Sequence, residues 1–230
     1  MCGRFELSET PLHLVAARLG VEMDPGARAL DRRRFNIAPG QQFACMTGAR
    51  DLTVLSARWG IAGRDGGQRI NARVETLRPV WLKSLRRARG LIPADGFVEW
   101  KRQGGRRRDP FHLRSRDGML WLAAVIDLGV ADVSSAPQGV VVTCEAVGRA
   151  ASLHGRMPLM FTSCERGRAW MEDGRYDRGA LTRVATELEV ARISTRINSA
   201  SHDDPECLAA APEEGSSQLD LFGASGGGKS

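Results

Sequence analysis

Cysteine is scarce in this chain and unpaired in spacing. The five cysteines, Cys2, Cys45, Cys144, Cys164 and Cys207, are odd in number and include no Cys-x-x-Cys pair. That argues against a disulfide framework and against a thiolate zinc site. The four histidines, His13, His112, His154 and His202, show no metal-ligand spacing, so neither a metal nor a cofactor is expected. No apolar run approaches the roughly 20 residues that span a bilayer. The opening stretch has neither a basic n-region nor a continuous apolar h-region, so no export signal is read and a cytoplasmic setting with reduced thiols is expected. Lysine is also rare: Lys83, Lys101 and Lys229 are the only ones among 33 basic residues. The net charge of +6 and pI near 9.5 are therefore carried by arginine. Such a balance suits an anionic partner such as nucleic acid, although an arginine bias beside abundant Ala and Gly can equally reflect codon composition.

With 230 residues and 42% hydrophobic content, the chain suits a single domain over residues 1–211 with a tail from 212 to 230. A first helix is expected over Pro11–Leu19, with Thr10 as cap, Leu12, Val15, Ala16 and Leu19 on one face and Gly20 at the stop. "FNIAPGQQ" reads as an extended loop, because Pro39 biases Ala38 away from helix. "DLTVLSARWGI" alternates as a strand does. "RINARVETL" begins extended and leads into a helix near Pro79–Leu85. "LIPADGFVEW" and "PFHLRS" read as strands joined by the basic turn "KRQGGRRRD", which gathers Lys101, Arg102, Arg106, Arg107 and Arg108. "MLWLAAVIDL" and "GVVVTCEA" suit buried strands, "RMPLMF" a short one and "ARISTRIN" a last one, while "CERGRAWME" and "RGALTRVATEL" are helical. Strands dominate without regular βαβ alternation. The fold class is therefore α+β: a largely antiparallel sheet or barrel-like core with flanking helices. The Gly/Ser-rich end is expected to be disordered, and its "GGGKS" lacks the strand and helix that a phosphate loop requires.

Cys2 stands where removal of Met1 would leave a free N-terminal cysteine. Its α-amine, near pKa 7.7–8.0, and thiol, near 8.5, would then form a 1,2-aminothiol that condenses with an aldehyde, first as a Schiff base and then as a five-membered thiazolidine. From position alone, an incidental small residue is the plainer reading. Asn71 and Arg73 of "INARVET" can orient an intermediate and hold a phosphate, or form a polar strand edge with Glu75. Glu99 of "GFVEW" lies in an apolar context that would raise its pKa and suit proton shuttling. Trp100 beside it can stack on a base, or both can be core. His154, before Gly155 and Arg156, is either a catalyst or a structural turn residue.

Taken in order, "MCGRF", "NIAPGQ", "RWG", "INARVET", "LIPADGFVEW", "LHGRMP" and "ISTRINSASHDDPEC" resemble the SOS response-associated peptidase (SRAP) family, from Cys2 to about Cys207. The resemblance implies that Met1 is removed, with autoproteolysis as one route, and that Cys2 captures abasic sites in single-stranded DNA as a covalent thiazolidine. It implies acid–base roles for Glu99 and His154 and a positioning role for Asn71. Arg4, Asn36, Pro39, Arg73 and Arg156 are implied as DNA-binding residues, and Trp100 joins them as the base-stacking candidate. "RWGIAGRDGG" departs from the family, with Gly63 and Arg64 where a proline and a wedging tryptophan are usual. Leu82 replaces a common basic residue, though Lys83 is adjacent. In the tail, "QLDLF" resembles the peptide that docks on the bacterial sliding clamp, through Gln218, Leu221 and Phe222. A monomer with no membrane partner is expected. Two other readings stay open: an N-terminal-nucleophile cysteine peptidase or amidohydrolase, and a non-catalytic, clamp-recruited adaptor for single-stranded DNA.

Overall fold

The computed structural model describes residues 2–48, 50–63, 66–77, 87–102, 108–128 and 136–212. The strands are β1 (Arg4–Leu7), β2 (Arg34–Ile37), β3 (Gln42–Thr47), β4 (Thr53–Trp59), β5 (Ile61–Ala62), β6 (Gln68–Arg69), β7 (Asn71–Arg73) and β8 (Arg87–Ala94). They continue as β9 (Gly96–Arg102), β10 (Arg108–Arg114), β11 (Leu120–Asp127), β12 (Gln138–Glu145), β13 (Arg156–Pro158), β14 (Met160–Phe161) and β15 (Glu189–Arg192). The helices are α1 (Leu12–Leu19), α2 (Pro25–Arg28), α3 (Arg168–Asp173) and α4 (Arg178–Glu187).

Pairing runs β12-β4-β3-β8-β11, and β11 pairs again with β12, so the larger sheet closes into a ring. Closure removes the exposed edges that an open sheet would present. The expected α+β class with a largely antiparallel, barrel-like core is observed, although β12 pairs in parallel with both β4 and β7. A second sheet, in the order β15-β10-β9-β1-β2, lies beside it. The apolar runs explain the burial. "LWLAAVI" of β11 and "GVVVTC" of β12 are buried at every position, as strands covered on both faces require. Inside, Trp59 is fully buried, with its indole N–H donating to the Ile70 carbonyl at 2.8 Å. Phe5 packs on it at a centroid distance of 5.0 Å. Each such large side chain contributes roughly 1.5–3 kcal/mol through burial.

Several local expectations need correction. Leu12, Val15 and Ala16 do form the buried face of α1, and Gly20 closes it in the left-handed region at φ 63°. Thr10 is not its cap, because Pro11 occupies that position. The Thr10 hydroxyl donates instead to Asp95 Oδ1 at 2.7 Å, while Asp95 Oδ2 accepts from the backbone N–H groups of Ser8, Glu9 and Thr10. Asp95, at the bend between β8 and β9, thus anchors the chain between β1 and α1. "FNIAPGQQ" contains β2 and the start of β3 rather than only loop. "LIPADGFVEW" divides at Asp95 into two strands. "RMPLMF" also divides into two. In "ARISTRIN" the strand ends at Arg192, and Thr195–Asn198 form a 3-10 turn. The expected helix at Pro79–Leu85, the hairpin turn after Arg102 and the tail with QLDLF lie outside the described residues.

Gly96 shows why the "GF" of "DGFVEW" is needed. A Cβ there would lie 2.2 Å from His112 Nε2 and 2.9 Å from the Leu113 carbonyl. The imidazole of His112 crosses this gap to reach the buried Glu6 carboxylate at 3.2 Å.

Candidate active site at the head of the first strand

β1 joins β9 in antiparallel register, with Arg4 opposite Val98, Phe5 opposite Phe97 and Glu6 opposite Gly96. Cys2 and Gly3 precede the strand, at the end of β1 where Arg4 faces Val98. From the other sheet, β7 lies parallel to β12 with Asn71 opposite Val141. Asn71 Nδ2 donates to the Cys2 carbonyl at 2.9 Å. The two sheets therefore meet at Cys2, where Asn71 grips its backbone. Asn71 Oδ1 is buried and accepts no hydrogen bond among the described residues.

Cys2 is fully buried, and its thiol donates to the Arg4 carbonyl at 3.6 Å. Burial pushes the thiol far above its ordinary range, and the Glu99 carboxylate pushes it further. This corrects the expectation drawn from unperturbed values, because the thiol is held neutral in the chain that carries Met1. Glu99 is itself 1% exposed. Burial raises its carboxyl from the ordinary 4.5 to about 7, as desolvation of a charged form requires. A carboxyl tuned near neutrality can both give and take a proton.

His154 precedes β13, and its Nδ1 accepts from the Arg156 N–H at 2.9 Å. Nδ1 also lies 3.2 Å from the Arg156 carbonyl. β13 pairs with the same β12 that carries β7, which sets His154 and Arg156 on the flank of Asn71 and Arg73. Cys2 thus touches Asn71 through its carbonyl and Arg4 through its thiol and is coupled electrostatically to Glu99, while His154 contacts Arg156.

The cationic residues divide by availability. Arg73 is exposed, and no group among the described residues engages its guanidinium. Arg156 is bidentate to Glu75, at 2.8 and 2.9 Å, and also donates to the Thr143 carbonyl at 2.6 Å. Glu75 therefore pairs with Arg156 rather than with Arg73, and this hydrogen bonding lowers the Glu75 pKa. Arg4 donates to the Gly3 carbonyl at 2.7 Å and lies 5.9 Å from the Trp100 ring centroid. Trp100 packs on a small second core of Phe35, Val98, Ile193, Ile197 and Cys207. Pro39 sits half-buried in the turn between β2 and β3.

Asn36 does not line a surface. It is fully buried, and its Nδ2 donates to the carbonyls of Ile197, Ser199 and His202. Sequence reasoning missed its counterpart. Asp203 accepts from the N–H groups of Phe35, at 2.6 Å, and Asn36, at 2.9 Å, and pairs with the buried Arg34. The available signal was the polar cluster "SASHDD" after the last strand, whose short side chains favour bonds to backbone. Two concavities among the described residues do not include Cys2: one of about 580 Å³ is lined by Glu6, His112 and Arg114, the other of about 230 Å³ by Thr10, His13 and Arg33.

The SOS response associated peptidase (SRAP) profile matches residues 1–200. The abasic site processing protein YedK of Escherichia coli is 32% identical over 183 residues, covering 74% of this chain and 79% of that protein. YoqW of Bacillus subtilis, also an abasic site processing protein, is 27% identical over 194 residues, covering 76% of this chain and 84% of that one. A crystal structure of a protein from Bacteroides thetaiotaomicron superposes with a TM-score of 0.69 at 16% identity, covering 92% of this chain and 100% of that one.

Proposed function

The chain belongs to the SOS response associated peptidase family, and on that premise we propose that it processes abasic sites in single-stranded DNA by covalent capture through Cys2. The name its relatives share, abasic site processing protein, supplies the substrate class. The observation that supports the chemistry is the convergence at Cys2 of an Asn71 amide on its carbonyl and a Glu99 carboxyl poised near neutrality.

Removal of Met1 by hydrolysis frees the Cys2 amine. The ring-opened abasic sugar presents a C1′ aldehyde. The amine nitrogen adds to C1′, and loss of one water gives a Schiff base. The sulfur then adds to C1′, the thiol proton leaves, and the nitrogen gains one, closing the thiazolidine with no net redox change. The closing step needs a base for the thiol proton, and Glu99 takes that part. Its protonated form assists the earlier loss of water. His154 protonates the sugar ring oxygen as it opens. Asn71 fixes the Cys2 carbonyl so that amine and sulfur face the same carbon. Arg73 supplies an uncommitted charge for a phosphate next to the lesion, and Arg4 and Arg156 border the path. Capture shields the sugar from β-elimination, which would break the strand.

The protein would act as a cytoplasmic monomer. No helix among the described residues is long and apolar enough to cross a membrane. Gln218, Leu221 and Phe222 would tether it to the sliding clamp, Leu221 and Phe222 as the apolar anchor and Gln218 as a hydrogen-bonding group. Deleting residues 218–222 should abolish clamp binding and leave capture intact; unchanged clamp binding would reject the tether.

The test of capture is incubation of the processed protein with abasic single-stranded DNA, followed by a denaturing gel. A slowly migrating species should form stoichiometrically and vanish in Cys2→Ala. Salt-reversible binding with no such species would instead favour an adaptor, and repeated turnover of an amide substrate would favour a peptidase.

A further inference from the structure

The nucleophile stands at a point where chains usually fray. Strand pairing begins at Arg4, so Cys2 and Gly3 lie outside the ladder. After Met1 is removed they would be a free end, and free ends are poorly ordered unless tied down. Asn71 holds the Cys2 carbonyl. The second tie runs through Arg4, whose Nη1 donates to the Gly3 carbonyl at 2.7 Å.

Arg4 is held in turn by Asn198. Its Nη2 donates to the Asn198 carbonyl at 3.3 Å, and its guanidinium lies over Trp100. The Trp100 indole N–H donates to Asn198 Oδ1 at 2.7 Å. An indole can only donate, so this bond fixes which end of the amide faces it. Asn198 is exposed but not loose. It ends the Thr195–Asn198 turn, whose Ile197 is fully buried. Asn36 Nδ2 grips the carbonyls of Ile197 and Ser199 on either side of it, at 3.3 and 2.9 Å.

We propose that Asn198 is a positioning residue, which orders Trp100 and Arg4 and, through Arg4, holds the Cys2–Gly3 segment against Asn71 and Glu99. The Thr195–Asn198 turn thereby latches the start of β1. The role in capture rests on the function proposed above; the latch itself does not.

Two measurements on the Met1-processed protein test it. The first is hydrogen exchange of the peptide spanning Gly3–Phe5. Asn198→Ala keeps the backbone carbonyl but loses the indole acceptor, and should raise exchange there about tenfold while residues 120–127 stay unchanged. Asn198→Asp keeps an acceptor oxygen and should restore near-wild-type protection. The second is the single-turnover rate of adduct formation at saturating abasic strand, which should fall about tenfold in Asn198→Ala. Wild-type exchange at Gly3–Phe5 in Asn198→Ala would overturn the latch, as would an equal rise in both peptides. If the wild-type protein forms no adduct, the capture reading fails and the exchange comparison alone decides the latch.

Discussion

Replacing Glu99 by Gln should make the protein more stable while disabling it. In the fold the carboxyl titrates at about 7 instead of its ordinary 4.5, so the folded state binds the proton more tightly than the unfolded chain does. Stability from this group is greatest below about pH 4.5, declines as pH rises toward 7, and is fully lost above it. At about 1.36 kcal/mol for each tenfold change in acidity, the rise corresponds to about 3 kcal/mol. Gln has nearly the same shape as the protonated acid and never ionises. The stability gained by Glu99→Gln should therefore be near zero at pH 4 and grow to about 3 kcal/mol at pH 8. Urea unfolding of both proteins at a series of pH values measures it directly. The same variant should capture an abasic strand about 10²–10⁴-fold more slowly, as loss of a positioned acid–base group implies. A Glu99→Gln protein that is destabilised equally at pH 4 and pH 8 would refute the reasoning, because it would mean that the carboxylate is welcome in its site.

Asp203 should matter to folding rather than to chemistry. Asp203→Ala strips acceptors from two backbone N–H groups and leaves the buried Arg34 without its carboxylate. It should cost on the order of 3–5 kcal/mol in urea unfolding, and a loss below about 1 kcal/mol would contradict the staple. Arg73 should behave in the opposite way. Arg73→Gln should leave the melting temperature unchanged but lower the slope of log affinity against log salt by about 0.7 for single-stranded DNA. A melting temperature that drops with no change in slope would assign Arg73 to structure.

The barrel was legible because its strands are strongly patterned: continuous apolar runs such as "LWLAAVI" and "VVVTC" have few other uses. Helix α1 was legible from its apolar spacing and Gly20 stop. The errors came where tertiary contacts override local preference. Thr10 has the chemistry of a cap, but Asp95, 85 residues away in sequence, claims its hydroxyl. Asn36 resembles a surface polar group within "NIAPG", yet it is buried by the 197–202 segment that it holds. Glu75 sits beside Arg73 in sequence and pairs with Arg156, 81 residues on. For the candidate site, motif order singled out Asn71, which the fold places on the Cys2 carbonyl. The fate of the Cys2 thiol was not legible, because a pKa depends on burial and on Glu99, which only the fold brings together. Asn198 and Asp203 lie in "ISTRINSASHDDPEC", but their partners sit on distant strands.

The most direct measurement is peptide mass mapping of the protein after reaction with an abasic single-stranded oligonucleotide, digested and treated with a thiol alkylating reagent. The account predicts a peptide beginning at Cys2 that carries the sugar fragment less one water, with both its amine and its sulfur blocked. An adduct on another residue, or a Cys2 whose sulfur still alkylates, would contradict it.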